Sequence, residues 1–284
     1  MFARMVQIEN TKLFKSRLFW VELAILAGLV VLLFGGMFAL SQVLPDEALE
    51  AQVAAAMYWP ASLNTAMGLA SSGGLGGLLI MVLASVLVAH GYSHRTFSLW
   101  LGRGMPRPVV LLAQFAVLAL AAALLVATAT VVGGLVSVLI TLGAEGSLTF
   151  DAVNYVQLGL SILRTTFTLL PYVAMTMLFA VLTRSAAGTL GLSVGYALLI
   201  ESVLTQVLLF AGETGRAVVK FVPATLAASV NSLNNSTLVT VTVNGQAPQI
   251  PMLDPVPAAI GLALYTLVFL GLAVWQFRRQ DLTA

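Results

Sequence analysis

The chain contains no cysteine, only two histidines and only 8% charged residues among its 284 positions. Without cysteine there is no disulfide framework, no thiol nucleophile and no thiolate metal site. Two histidines without acidic or thiolate neighbours make a poor ligand set, so no metal site is expected on this chain. A G-x-x-x-x-G-K-[ST] loop to cradle nucleotide phosphates is also missing from the sequence. No Ser/His/Asp or paired-carboxylate arrangement is recognisable, which argues against an intramembrane enzyme. The scarcity of charge is itself informative, because a soluble globular domain carries about a quarter charged residues. With 60% hydrophobic residues and a mean hydropathy of +1.00, the composition is that of an all-α polytopic membrane protein. The net charge of +2 and a pI near 9.1 do not point to nucleic acid. The cations cluster beside apolar runs, where they act as orientation signals.

About 20 apolar residues span the hydrocarbon core, and six stretches qualify: 18–43, 61–89, 109–142, 164–182, 187–210 and 257–277. The third is too long for one straight crossing, so tilt or a projecting end must absorb the excess. The first is far longer than the roughly 7–15 apolar residues of a secretory signal. Although Ala39-Leu40-Ser41 loosely imitates a cleavage site, an uncleaved first transmembrane helix is expected. Arg4, Lys12, Lys15, Arg17, Arg95, Arg103, Arg107, Arg184, Arg278 and Arg279 fall on one side, and only Arg164, Arg216 and Lys220 on the other. This asymmetry places both termini in the cytosol, as expected for an inner-membrane protein.

The connecting segments carry further signals. In the N-terminal 17 residues, Phe2, Met5, Val6, Leu13 and Phe14 share roughly one helical face, the pattern of a helix lying in the membrane interface. Between the second and third spans, residues 91–108 form a basic loop on the cytosolic side. There Phe97, Trp100 and Leu101 fall at i, i+3 and i+4, with Gly102 and Gly104 as stop signals and Arg95, Arg103 and Arg107 flanking. An ordinary aromatic belt with cationic anchors would look much the same. Residues 211–255 are long enough for a small external cap: a short helix over 215–230, then an alternating strand before the Asn244-Gly245 turn. Asn234 and Asn235 each begin an N-x-S/T sequon.

Within the spans, Gly68, Ser72 and Gly76 recur at spacing four, as do Gly73 with Gly77 and Gly191 with Gly195. Small residues let helix backbones approach closely in a membrane, so these positions suit intrachain packing, a dimer seam or the wall of a substrate path. Pro171 removes a helical donor and is expected to kink the fourth span. Charges at membrane depth default to functional hypotheses. Glu22 is expected to snorkel towards Arg17, and Arg164 and Glu201 are expected to pair in the outer half of the membrane.

The order Arg95-Thr96, Leu101, Arg103-Gly104 and Arg107 at the entrance of the third span resembles the first cytosolic loop of type-2 ABC transporter permeases. The basic lead-in with Glu9, Lys12 and Arg17, the Phe221-Val222-Pro223 turn and the ending Phe277-Arg278-Arg279-Gln280-Asp281 agree with that family. The acidic residue frequent before the Gly-Thr pair is absent, with His90 and His94 standing there instead. The resemblance covers essentially the whole chain. It implies the permease subunit of an ABC exporter, paired with a second permease copy and two ATPase subunits that bind ATP and Mg. It also implies that Arg95, Thr96, Phe97, Trp100, Arg103, Arg107 and Arg184 couple to the ATPase. Ser71-Ser72-Gly73-Gly74 is superficially similar to an ABC ATPase signature, but its place in an apolar stretch is better explained by helix packing. A secondary transporter driven by an ion gradient and a noncatalytic scaffold are the rival readings. Against the former, no interrupted helices stand in matching halves of the sequence.

Overall fold

In the computed structural model, residues 1–43, 53–54, 56–93, 105–146, 148, 153–234 and 252–280 are described. Among them every regular element is helical. Six helices are long and apolar enough to cross a membrane, which makes the chain a multi-pass membrane protein. Residues 94–104, including Arg95, Thr96, Phe97, Trp100 and Arg103, lie outside the described residues, as does the alternating segment at 238–245.

Helix α1 (Phe2–Lys15) turns at Ser16 into α2 (Arg17–Ser41), the first span. The corner is held by the Trp20 indole donating to the Phe14 carbonyl at 2.8 Å and by a T-shaped Phe14–Phe19 pair at 5.8 Å. Met5, Glu9 and Leu13 recur every four residues and form the buried face of α1, while Phe2 and Phe14 stay exposed. The apolar face expected to lie along the membrane is therefore divided, because Met5 and Leu13 are drawn into the protein core.

The second span is two helices, α3 (Ser62–Ala70) and α4 (Leu75–Ser93). The third, α5 (Arg107–Glu145), runs unbroken for 39 residues, about 58 Å at 1.5 Å per residue, so it outreaches the hydrocarbon core. Gly146 stops it in the left-handed conformation (φ 69°), its N–H reaching the Leu142 carbonyl. The fourth span, α6 (Tyr155–Thr183), starts nine residues before the expected boundary, where Asn154 Oδ1 accepts from Val156 N and Gln157 N at 3.1 Å. It continues as helix through the buried Pro171. The fifth span comprises α7 (Ala186–Gly195), a π-helical turn at Tyr196–Ile200 and α8 (Glu201–Phe210). Two short helices, α9 (Gly212–Val219) and α10 (Pro223–Asn231), precede the sixth span, α11 (Pro255–Arg279).

Packing centres on α5 and α6. Helix α5 touches α1, α2, α3, α4 and α6, and its small inner residues Ala121, Ala122 and Ala129 let these neighbours close in. Helix α6 is flanked by α4, α7, α10 and α11. A close approach in the first group is at Gly133 and Gly134 of α5. A Cβ at Gly133 would overlap Ala66 Cβ of α3, and one at Gly134 would lie 3.2 Å from Leu63. Spans one, five and six carry their apolar bulk outward, as at Leu32, Leu199, Val207, Ile260 and Leu267. Such a surface would be a liability in water but is what contact with lipid tails requires.

Candidate functional site

The interruption of the second span follows from its composition. Helix α3 ends where Ser71 becomes extended (ψ 174°), its hydroxyl and its N–H both donating to the Gly68 carbonyl. The Ser71 carbonyl then receives Gly74 N at 3.1 Å and Gly77 N at 3.0 Å, which satisfies the opening turn of α4. The fold-back needs glycine. A Cβ at Gly74 would overlap the Leu69 and Gly68 carbonyls, one at Gly76 the Ala70 carbonyl, and one at Gly77 would sit 2.6 Å from the Ser72 carbonyl. The small residues Gly68, Ser72, Gly76 and Gly77 therefore build a break within one span. This corrects the expectation of a stripe along a continuous helix. Gly191 and Gly195 meet nothing within 4 Å of an added Cβ, so the space a side chain would take there is open.

Glu201 lies opposite this break. It follows directly on the π-helical turn, whose extra residue shifts the helix face; such turns recur at functional sites. Its side chain is 4% exposed. Tyr172 Oη donates to both carboxylate oxygens, at 3.2 and 3.1 Å, and Ala224 N donates to Oε1 at 2.6 Å. Ala224 is in the first turn of α10, just after Pro223, so the carboxylate caps that helix where its free N–H groups and positive dipole end favour an anion. Arg164 Nη1 instead reaches the Leu233 carbonyl at 3.4 Å, at the other end of the same helical segment. The expected Arg164–Glu201 pair does not form: α10 stands between the two charges and takes one at each end.

Helix α10 is held in this place by further bonds. Asn234 Nδ2 donates to Thr165 Oγ1 at 3.1 Å and Tyr265 Oη to the Phe221 carbonyl at 3.1 Å. Asn234 is buried, which withdraws the first sequon from modification. The single short helix expected over 215–230 is in fact two, α9 and α10, separated at Lys220–Val222 ahead of Pro223, whose fixed φ suits a helix start.

Between the break and Glu201 lies a cavity of about 720 Å³. Its walls are Leu69, Ser72, Gly73, Gly74, Leu75, Leu78 and Met81 from the second span, Tyr172 from α6, Ala197 to Leu209 of the fifth span, and Ala224. Glu201 is its one charged lining residue. Ser72 and Gly73, for which the sequence left packing, a dimer seam and the wall of a path open, are wall residues of this cavity.

A second polar cluster gathers the ends of four spans. Arg107 Nη1 donates to the carbonyls of Phe277, Arg278 and Gln280 at 3.3, 2.8 and 2.6 Å, satisfying the C-terminal turn of α11. Gln280 Nε2 donates to the Val181 carbonyl at 2.6 Å, and its Oε1 accepts from Tyr92 Oη at 3.1 Å. Arg107, expected from the resemblance to couple to an ATPase, is thus engaged by the chain's own last helix. Arg184 is exposed in the left-handed conformation (φ 55°) at the end of α6. Glu22 does not snorkel: it is 2% exposed, and neither oxygen has a hydrogen-bond partner among the described residues. No group of three His, Asp or Glu side chains that would hold a metal ion is present among the described residues.

A comparison with curated proteins finds no match. A family model described as "Protein of unknown function (DUF2705)" matches residues 66–283, from within α3 to beyond α11, and so spans both the cavity and the Arg107 cluster. The chain belongs to this DUF2705 family.

Proposed function

We propose that the chain is the membrane-spanning permease subunit of an ATP-driven ABC transporter, an exporter, with ATP and Mg held on partner ATPase chains. The observation that carries a transport role is the cavity between the interrupted second span and Glu201. Non-helical backbone and a buried charge at membrane depth are both costly, and both occur where a cavity or substrate path uses them. The resemblance to type-2 ABC permeases supplies the ATPase part of the reading. On it, residues 1–284 form one permease domain, residues 1–17 lie at the cytosolic interface, and 211–255 form the external cap. Both termini are cytosolic, by the cation asymmetry. Arg95, Thr96, Phe97, Trp100 and Arg103, with the exposed Arg184, face the ATPase. A second permease copy completes the complex, with the small-residue face of Gly191 and Gly195 on α7 open to it.

One observation favours a second reading, an ion-coupled secondary transporter. The second and fifth spans are the middle members of two sets of three. The second is broken at Ser71–Gly74, the fifth carries a π-helical turn at Tyr196–Ile200 within a continuing helix, and they meet at Glu201. Interruptions at corresponding positions of two halves mark the sites of many secondary transporters. Among the described residues only the second span is broken, so the match to that pattern is partial. Purification of the tagged chain from its own membrane separates the two. The ABC reading expects an ATPase subunit in equal number to the permease and flux that requires ATP. Flux by the chain alone, driven by an ion gradient, would establish the second reading instead.

A further inference from the structure

We propose that the cavity between the span-two break and Glu201 binds an amphipathic organic cation, with the Glu201 carboxylate as its counter-ion. This deepens the permease reading and rests on it for calling the ligand transported; the binding itself needs no ATPase. The volume, about 720 Å³, falls within the roughly 300–1,000 Å³ of pockets that enclose small organic ligands.

The chemistry of the walls narrows the class. Leu69, Leu78, Leu198 and Leu209 give most of the lining an apolar character, with hydroxyls from Ser72, Ser202 and Thr205 and the amide of Gln206. A carboxylate offers about four acceptor positions, and Glu201 receives only the Tyr172 hydroxyl and Ala224 N. Its remaining capacity borders the cavity, and among the described residues no cation answers it there. An anion entering this space would meet the carboxylate's repulsion. A neutral apolar ligand would strip water from the carboxylate without replacing it, which is costly. A bare divalent metal ion would have only one of its charges matched, because Glu201 is the single carboxylate in a lining whose other side-chain oxygens are the neutral groups of Ser72, Tyr172, Ser202, Thr205 and Gln206. A bulky apolar ligand carrying one positive charge matches both the greasy walls and the lone acid.

The test uses two ions of the same shape and opposite charge, tetraphenylphosphonium and tetraphenylborate, titrated into the purified full-length chain in detergent. The expected result is saturable binding of the phosphonium at least about tenfold tighter than of the borate, a preference lost in Glu201→Gln, as truncating one member of a buried charge pair implies. Glutamine keeps an acceptor for Ala224 N and Tyr172, so the α10 cap persists. Gly73→Leu is the second variant. An added Cβ there meets nothing within 4 Å, so the larger side chain enters the cavity and should abolish binding of the phosphonium by occupying its volume. No saturable phosphonium binding, equal affinity for the two ions, or binding unaltered in both variants would overturn the site. Those outcomes would leave the permease reading standing, since association with an ATPase subunit is measured separately. Conversely, cation binding that depends on Glu201, together with failure of any ATPase subunit to co-purify from the chain's own membrane, would keep the site and remove the ABC assignment.

Discussion

Arg164 and Glu201 hold opposite ends of one short helical segment, the guanidinium at the Leu233 carbonyl and the carboxylate at Ala224 N. Helix α10 is nine residues long, about 14 Å, and its peptide dipoles point their positive end at the acid and their negative end at the base. The two charges therefore act on each other only through α10. Losses of stability in Arg164→Gln and Glu201→Gln should add to within about 0.5 kcal/mol in a double-mutant cycle. Chemical denaturation in detergent measures this, and a coupling well above that value would mean direct contact.

Removing the acceptor at Glu201 is a different matter from removing its charge. Glu201→Leu leaves Ala224 N and the Tyr172 hydroxyl buried without partners, each an unmade hydrogen bond worth about 1–3 kcal/mol. It should lower the thermal midpoint substantially more than Glu201→Gln. Equal midpoints for the two variants would show that the cap contributes nothing.

The glycines of the break should divide sharply. Gly76→Ala forces a Cβ into the Ala70 carbonyl, a backbone clash costing at least the roughly 1–3 kcal/mol of an overpacked core. Gly73→Ala meets open space and should be neutral. Similar yields and melting temperatures for both variants would contradict the fold-back. Gly133→Val, which meets Ala66, should behave like Gly76→Ala.

These glycines show what the sequence could and could not tell. Six apolar runs and their order were legible because hydropathy and length decide membrane spans. The Ser71–Gly74 break was not, because spacing-four glycines serve equally to admit a neighbouring helix or to let one chain fold on itself. The Gly133-Gly134 contact was missed although it left a signal: two adjacent glycines inside a helix cost about 1 kcal/mol each against alanine and so call for a reason. Arg164 and Glu201 stood out as charges within apolar stretches, but α10 lies in a segment without membrane hydropathy, and nothing local revealed that it would come between them. Arg107 looked like a loop cation because its acceptors are backbone carbonyls 170 residues away, which no sequence pattern marks.

The Arg107 cluster ties the ends of α4, α5, α6 and α11 together. Tyr92→Phe and Gln280→Leu each remove one side of the Tyr92–Gln280 bond, so their stability losses should be non-additive by about 0.5 kcal/mol or more. Arg107→Ala should cost about 1.5–3 kcal/mol, the range for hydrogen bonds to a charged group. Unfolding in detergent reads both, and a neutral Arg107→Ala would free that residue for a partner.

The central claim is that substrate passes through the cavity between the span-two break and Glu201. The most direct measurement is ATP-driven flux in proteoliposomes holding the chain with its co-purified ATPase subunit, comparing the wild type with Gly73→Leu. The account predicts that Gly73→Leu assembles with the ATPase as the wild type does yet abolishes flux, because the leucine fills the path without touching the partner. Undiminished flux with the cavity filled would contradict it.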